Sequence, residues 1–253
     1  MMRSLYSGVT GLRNHQTKMD VIGNNIANVN TVGFKASRVI FQDIYSQMVA
    51  PASAPTATSG GTNPQQIGLG VQLATIDILD TESASQYTGN PLDFAIDGDG
   101  YFIIQDGASY TYTRAGNFYT DENDYLVDSN GNYVLGYAVD ATTGVPTTPT
   151  NLVPLELDAN YKEVAISDKG QIVGVHKTTG ATEYLGQVVL ATFPNPNGLQ
   201  KAGENMYRAT VNSGAAVEDT PGQGDTGALN PGSLEMSNVD LTAQFADMIT
   251  TQR

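Results

Sequence analysis

The 253-residue sequence has no cysteine, which removes disulfides, thiol nucleophiles and cysteine-ligated metal centres together. It has two histidines, His15 and His176. They are too few and too far apart for a zinc site, so no metal ligand set is assigned. Bases are scarce, with 12 Lys and Arg against 26 Asp and Glu and a net charge of −14. Binding to nucleic acid rests on cationic neutralisation of phosphates, so a chain this acidic excludes it as a partner. No stretch approaches the ~20 apolar residues that span a bilayer, and the start of the chain lacks the short apolar run of a secretory signal. Membrane insertion is therefore not expected. No G-x-S-x-G stands ready to present a serine, no phosphate-binding P-loop occurs, and Gly68-Leu69-Gly70 lacks the third glycine of a dinucleotide fingerprint. No catalytic residue and no cofactor is assigned.

What is present is patterned at both ends. Leu5, Leu12, Met19 and Ile26 recur every seven residues, and Gly8, His15, Ile22 and Val29 fall three residues after each, the a/d spacing of a helix with a narrow apolar seam. Gly8, Gly11 and Gly23 each cost about 1 kcal/mol relative to alanine inside a helix, so this helix needs a partner face. The other end offers one. Leu234, Leu241 and Met248 repeat at seven, with Phe245 and Ile249 beside them, after a Ser237-x-x-Asp240 capping arrangement. Residues 1–45 carry five bases and two acids, whereas residues 233–253 carry three acids and one base, so the two ends attract. The assembly seam is assigned to Leu5, Leu12, Met19, Ile22, Ile26 and Val29 on the first helix, and to Leu241, Phe245 and Met248 on the second. Arg253 ends the sequence without a Gly, Asn or Pro stop, so the second helix is expected to continue in a longer parent.

The stretch DVIGNNIANVNTVGFK, from Asp20 to Lys35, resembles the amino-terminal signature of bacterial flagellar rod and hook proteins. Ser237-Asn238-Val239-Asp240-Leu241 through Arg253 is similar to the start of their carboxy-terminal one. Between them, residues 88–102, Tyr112 to Phe118 and Phe193 to Leu199 are similar to stretches of the hook protein and the distal rod protein. The resemblance implies a self-assembling axial subunit whose terminal helices line a tube beneath an outer β-rich domain. The hook is the first expectation and the distal rod the second. Implied partners are further copies of the chain in a homopolymer, other axial proteins of the rod, hook–filament junction and hook cap, and the flagellar export apparatus. The implied location is the flagellum, reached without a cleaved signal peptide. The signature residues Gly23, Asn24, Asn25, Asn28, Gly33 and Phe34 are expected to shape the end of the first helix rather than to carry chemistry.

The fold class read from the chain is α+β, with terminal helices pairing as a coiled-coil-like segment around a central β-rich domain of sandwich or barrel type. The segments are a helical assembly segment over 1–45, a linker or extended arm over 46–66, the β-rich domain over 67–232 and a second assembly helix over 233–253. Phe41, Ile44, Tyr45 and Met48 return to helical spacing, while Val49 to Gln66 has no apolar period. From Ile67 onward, period-two patterns alternate with Gly, Asn and Asp turns. Asp97, Asp99, Asp121, Asp124 and Asp128 supply oxygen ligands of the kind calcium accepts. Around Asp128, however, Gly131 comes too early for the calcium-loop signature and its terminal Glu is missing, so these residues read as turns. A glycan-binding domain using Tyr110, Tyr112 and Tyr119 is the competing function, and a carboxylate glycosidase the weakest.

Overall fold

The computed structural model describes residues 2–55, 60–107, 109–146, 151–158, 160–178 and 180–253. They fall into two compact units. The first contains residues 1–27, 36–79 and 239–253, and the second contains residues 28–35 and 80–238.

Two helices carry the first unit. Helix α1 spans Met2–Ala27 and helix α2 spans Leu241–Gln252, and the two pack together. The cap of α2 is Asp240 rather than Ser237. Its carboxylate accepts from the backbone N–H of Thr242 and Ala243, which are among the free donors of a first helical turn. Beside the helices, strand Ser37–Asp43 pairs antiparallel with Val71–Ile78, and Ser46–Ala50 pairs with Gln65–Gly68.

Where helical turns are expected over Phe41, Ile44, Tyr45 and Met48, Phe41 and Met48 lie in strands and Ile44 and Tyr45 form the link between them. The physical reason is visible in the register. The bulge beside Ile40 and Phe41 places its extra residue, Ala74, on the partner strand, and Ser37–Asp43 keeps its alternation; the short link at Ile44 and Tyr45 between two strands brings the apolar residues to a spacing that mimics a helical period. The segment 46–66 holds the first strand of the second pair and the start of the other, and the bridge Ser53 to Thr62 extends that ribbon.

The second unit is β-rich. Thirteen of the described strands join in one antiparallel network. Its spine runs, in hydrogen-bonded order, Tyr161–Ile166, Gln171–His176, Thr182–Val188, Tyr133–Tyr137, Tyr101–Asp106, Ser109–Thr113, Met206–Arg208 and Gln200–Gly203. Alternating Phe, Ile, Leu and Val residues put one set of side chains inside. Phe94, Phe102 and Phe118 meet with ring centroids 5.2 to 6.3 Å apart, and Ile104, Leu126, Val134, Ile172 and Leu190 close around them. Strand Phe94–Asp97 and strand Tyr101–Asp106 flank the expected Asp97–Gly100 turn but do not pair with each other. The first pairs with Ala228–Pro231 and the second with Ser109–Thr113. Residues 228–231 thus return to complete the domain.

Candidate functional site

Along α1 the seam residues differ sharply in exposure. Leu5 and Leu12 are 68% and 74% exposed, Met19 and Ile26 are half-buried, and Ile22 is 4% exposed. On α2, Leu241 and Phe245 are exposed and Met248 is half-buried. Leu12 and Met19, with Thr251 and Gln252, line a hollow of about 240 Å³. One chain therefore covers only part of its own apolar stripe.

Asn25 of the signature is 1% exposed and works as a clip. Its amide nitrogen donates to the Ser37 carbonyl at 2.8 Å and to Gln244 Oε1 at 3.1 Å, and its oxygen accepts from the Ser37 N–H at 3.0 Å. It thus ties α1 to both the following strand and α2. Lys18 and Asp247 approach to 3.9 Å, but at a half-exposed position such a pair adds little. Gly23 and Asn24 are exposed, and Val29 is half-buried.

The rest of the signature belongs to the β-rich unit. Asn28 accepts a hydrogen bond from the Thr31 hydroxyl at 3.1 Å and turns the chain after α1. Gly33 has φ +66°, where an L side chain is disfavoured, and a Cβ there would lie 2.6 Å from the Ala115 nitrogen. Its N–H donates to the Glu235 carbonyl at 2.9 Å. Phe34 is buried beneath Lys201, whose ammonium stands 4.8 Å from the ring centroid.

Lys35 leads into a cluster of buried charge. Its ammonium donates to Glu235 Oε1 at 2.8 Å and to the Thr81 carbonyl at 2.7 Å, and lies 4.0 Å from Asp80 Oδ1. Arg114 Nη1 reaches Glu235 Oε2 at 3.3 Å, and its guanidinium lies 5.3 Å from the Tyr101 ring centroid. Tyr101 donates its hydroxyl to Asp80 Oδ2 at 2.8 Å; burial, then the neighbouring carboxylate, pushes its phenol well above the usual range. Lys35, Arg114 and Glu235 are at most 2% exposed. Such a cluster is close to neutral for net stability when complete, but removing one partner strands a charge and costs about 3–5 kcal/mol. The sequence pattern gave no sign of it. Period-two and heptad rules mark apolar faces, and a lone Lys, Arg and Glu in separate segments match none of them.

At the Asp128 turn the carboxylate is occupied by the backbone. Asp128 Oδ1 accepts from the N–H groups of Asn130 at 2.8 Å and Asn132 at 3.0 Å. Asp128→Asn keeps that acceptor, so its melting temperature is expected to match the parent with and without millimolar calcium. A calcium-dependent rise in the parent that the variant loses would show a bound cation instead. Of the three tyrosines proposed as a glycan platform, Tyr110 and Tyr119 are exposed, but Tyr112 is buried with its ring edge-on to Phe193 at 4.8 Å.

Residues 5–35 match the family model of flagella basal body rod proteins, residues 95–174 that of the flagellar hook protein FlgE/F/G D1 domain, and residues 230–253 that of the carboxy-terminal segment of the rod FlgEFG proteins. The flagellar basal-body rod protein FlgG of Bacillus subtilis is 52% identical over the whole chain and 91% of its own length. The chain belongs to the flagellar hook and rod protein family. It is a structural subunit of the bacterial flagellum and not an enzyme. The rod protein FlgG of Borreliella burgdorferi is 35% identical over the whole chain and 91% of its own length. The hook protein FlgE of the same species is 29% identical over the whole chain and 95% of its own length. The sequence reading of an axial flagellar protein, resting on the two terminal signatures, agrees with all three family matches.

Proposed function

We propose that this chain is a rod subunit, polymerising with its own copies and joining other axial proteins through its terminal helices. Alignment length carries the choice of rod over hook. The Bacillus subtilis rod protein aligns over 254 residues, almost one for one, whereas the hook proteins of Borreliella burgdorferi and Treponema pallidum need 419 and 439. The hook relatives thus hold a large segment with no counterpart here. Hook, the first expectation from sequence, becomes the second reading. Expression in a strain lacking its distal rod protein is expected to restore motility, and expression in one lacking its hook protein is not; the reverse pattern would return the chain to the hook.

The seam supports assembly by coiled-coil-like packing between neighbours. Leu5 and Leu12 are left exposed, and a Cβ added at Gly8, Gly11 or Gly23 meets nothing within 4 Å among the described residues. Glycines facing open space allow a second helix to approach closely, which offsets their cost in helix propensity. Export as an unfolded chain through the flagellar secretion channel accords with the absence of cysteine.

The segment 46–66, with the paired strands Ser46–Ala50 and Gln65–Gly68 at its two ends, is proposed as an arm that packs on a neighbouring subunit. Gln47 pairs with Ile67 and Met48 with Gln66, so Met48 and Ile67, 56% and 59% exposed, give each face of the ribbon an exposed apolar residue, and Tyr45 and Val49 are exposed as well. Met48→Asp with Ile67→Asp is expected to leave the melting temperature of the free subunit within about 2 °C, since both are surface changes. The same pair is expected to lower the yield of assembled rods at least tenfold. Normal rod yield from the double variant would leave the arm without an assembly role.

A further inference from the structure

Lys35, Arg114 and Glu235 come from three distant places in the chain. The Lys35–Glu235 bond joins residues 200 positions apart and the Arg114–Glu235 bond joins residues 121 apart. Among the described residues, Glu235 is the one carboxylate that pairs with both cations; Asp80 reaches Lys35 alone, at 4.0 Å. The apolar core of the same unit is complete without this segment, because its buried residues run from Phe94 to Leu229. A chain that has placed everything up to Leu229 therefore has its hydrophobic core, but it must bury an ammonium and a guanidinium without their shared anion. Burial without that partner is strongly unfavourable. The backbone repeats the dependence. Ser233–Glu235 pairs with Ser85–Tyr87, and the Glu235 carbonyl accepts from Gly33.

We infer that Lys35, Arg114 and Glu235 form a charge lock, which makes the closed state of the β-rich unit conditional on the docking of the segment that carries Glu235. The lock reads the presence of the late segment through charge rather than through apolar burial. A chain with Glu235 undocked keeps the unit open, although its core residues are all in place to collapse. This device belongs to the β-rich unit alone and holds whether the subunit builds a rod or a hook.

The test uses the full chain, with 13 tyrosines and no tryptophan, followed by tyrosine fluorescence in urea. Glu235→Gln keeps shape and removes the charge. It is expected to raise the unfolding equilibrium constant by about a hundredfold or more, with the urea slope unchanged. The triple replacement Lys35→Met, Arg114→Met and Glu235→Leu removes every charge of the lock and is expected to recover most of that loss, as fully apolar substitutes for buried ion clusters do. A Glu235→Gln unfolding constant within about threefold of the parent would overturn the lock. So would a triple variant no more stable than Glu235→Gln, or unable to fold, because the loss would then come from packing and not from stranded cations.

Discussion

Ile22→Asp is expected to abolish rod assembly and motility while leaving the melting transition of the β-rich unit in place. Ile22 is 4% exposed on α1, so the new carboxylate must sit unpaired in an apolar environment or take up a proton, at a cost of several kcal/mol. That cost falls on the unit formed by residues 1–27, 36–79 and 239–253, to which Ile22 belongs. Calorimetry of the purified variant should therefore show the transition of the larger unit near its parental temperature, with the helical contribution to circular dichroism reduced. Swimming equal to the parent would mean that Ile22 has no part in assembly.

Gly33→Ala should be the most damaging conservative change in the signature. The residue needs φ +66°, which alone costs an alanine about 1–2 kcal/mol. The added methyl would also stand 2.6 Å from the Ala115 nitrogen and 2.7 Å from the Arg114 carbonyl carbon, both backbone atoms that cannot turn aside. Displacing that backbone moves Arg114 away from Glu235 as well. A total loss of about 3 kcal/mol or more in the β-rich unit follows, as for other strained sites with an overpacked neighbour. Urea unfolding would reveal it as a lower midpoint at constant slope. A loss under about 1 kcal/mol would show that the turn can rearrange.

Gly33 also shows how much could be read before the structure. Its place after an Asn-rich run marks a turn, but nothing in the sequence says that the turn is pressed against the backbone of Ala115. The two terminal helices were legible because an apolar seven-residue period survives even where the residues are exposed, as Leu5 and Leu12 are. The paired strands Ser37–Asp43 and Val71–Ile78 were harder. Their first strand is rich in β-favouring Val39, Ile40 and Phe41, yet that unbroken apolar run hides the alternation of inner and outer faces that the strand has in the fold. Asn25 was legible as a signature residue, while its role as a clip was not, because the Ser37 and Gln244 partners are brought to it only by the packed fold. Lys35 and Glu235 share that limit: each looks like a solvated charge until the two segments are seen together.

Assembly through the seam is tested most directly at Leu12. The chain has no cysteine, so Leu12→Cys introduces a single thiol, at a position 74% exposed in the free subunit. Maleimide labelling of this variant as a free subunit and within purified basal bodies is expected to differ at least tenfold, with the assembled thiol protected by the helix of a neighbouring copy. Equal labelling in both states, in a variant that still swims, would contradict assembly through the seven-residue seam.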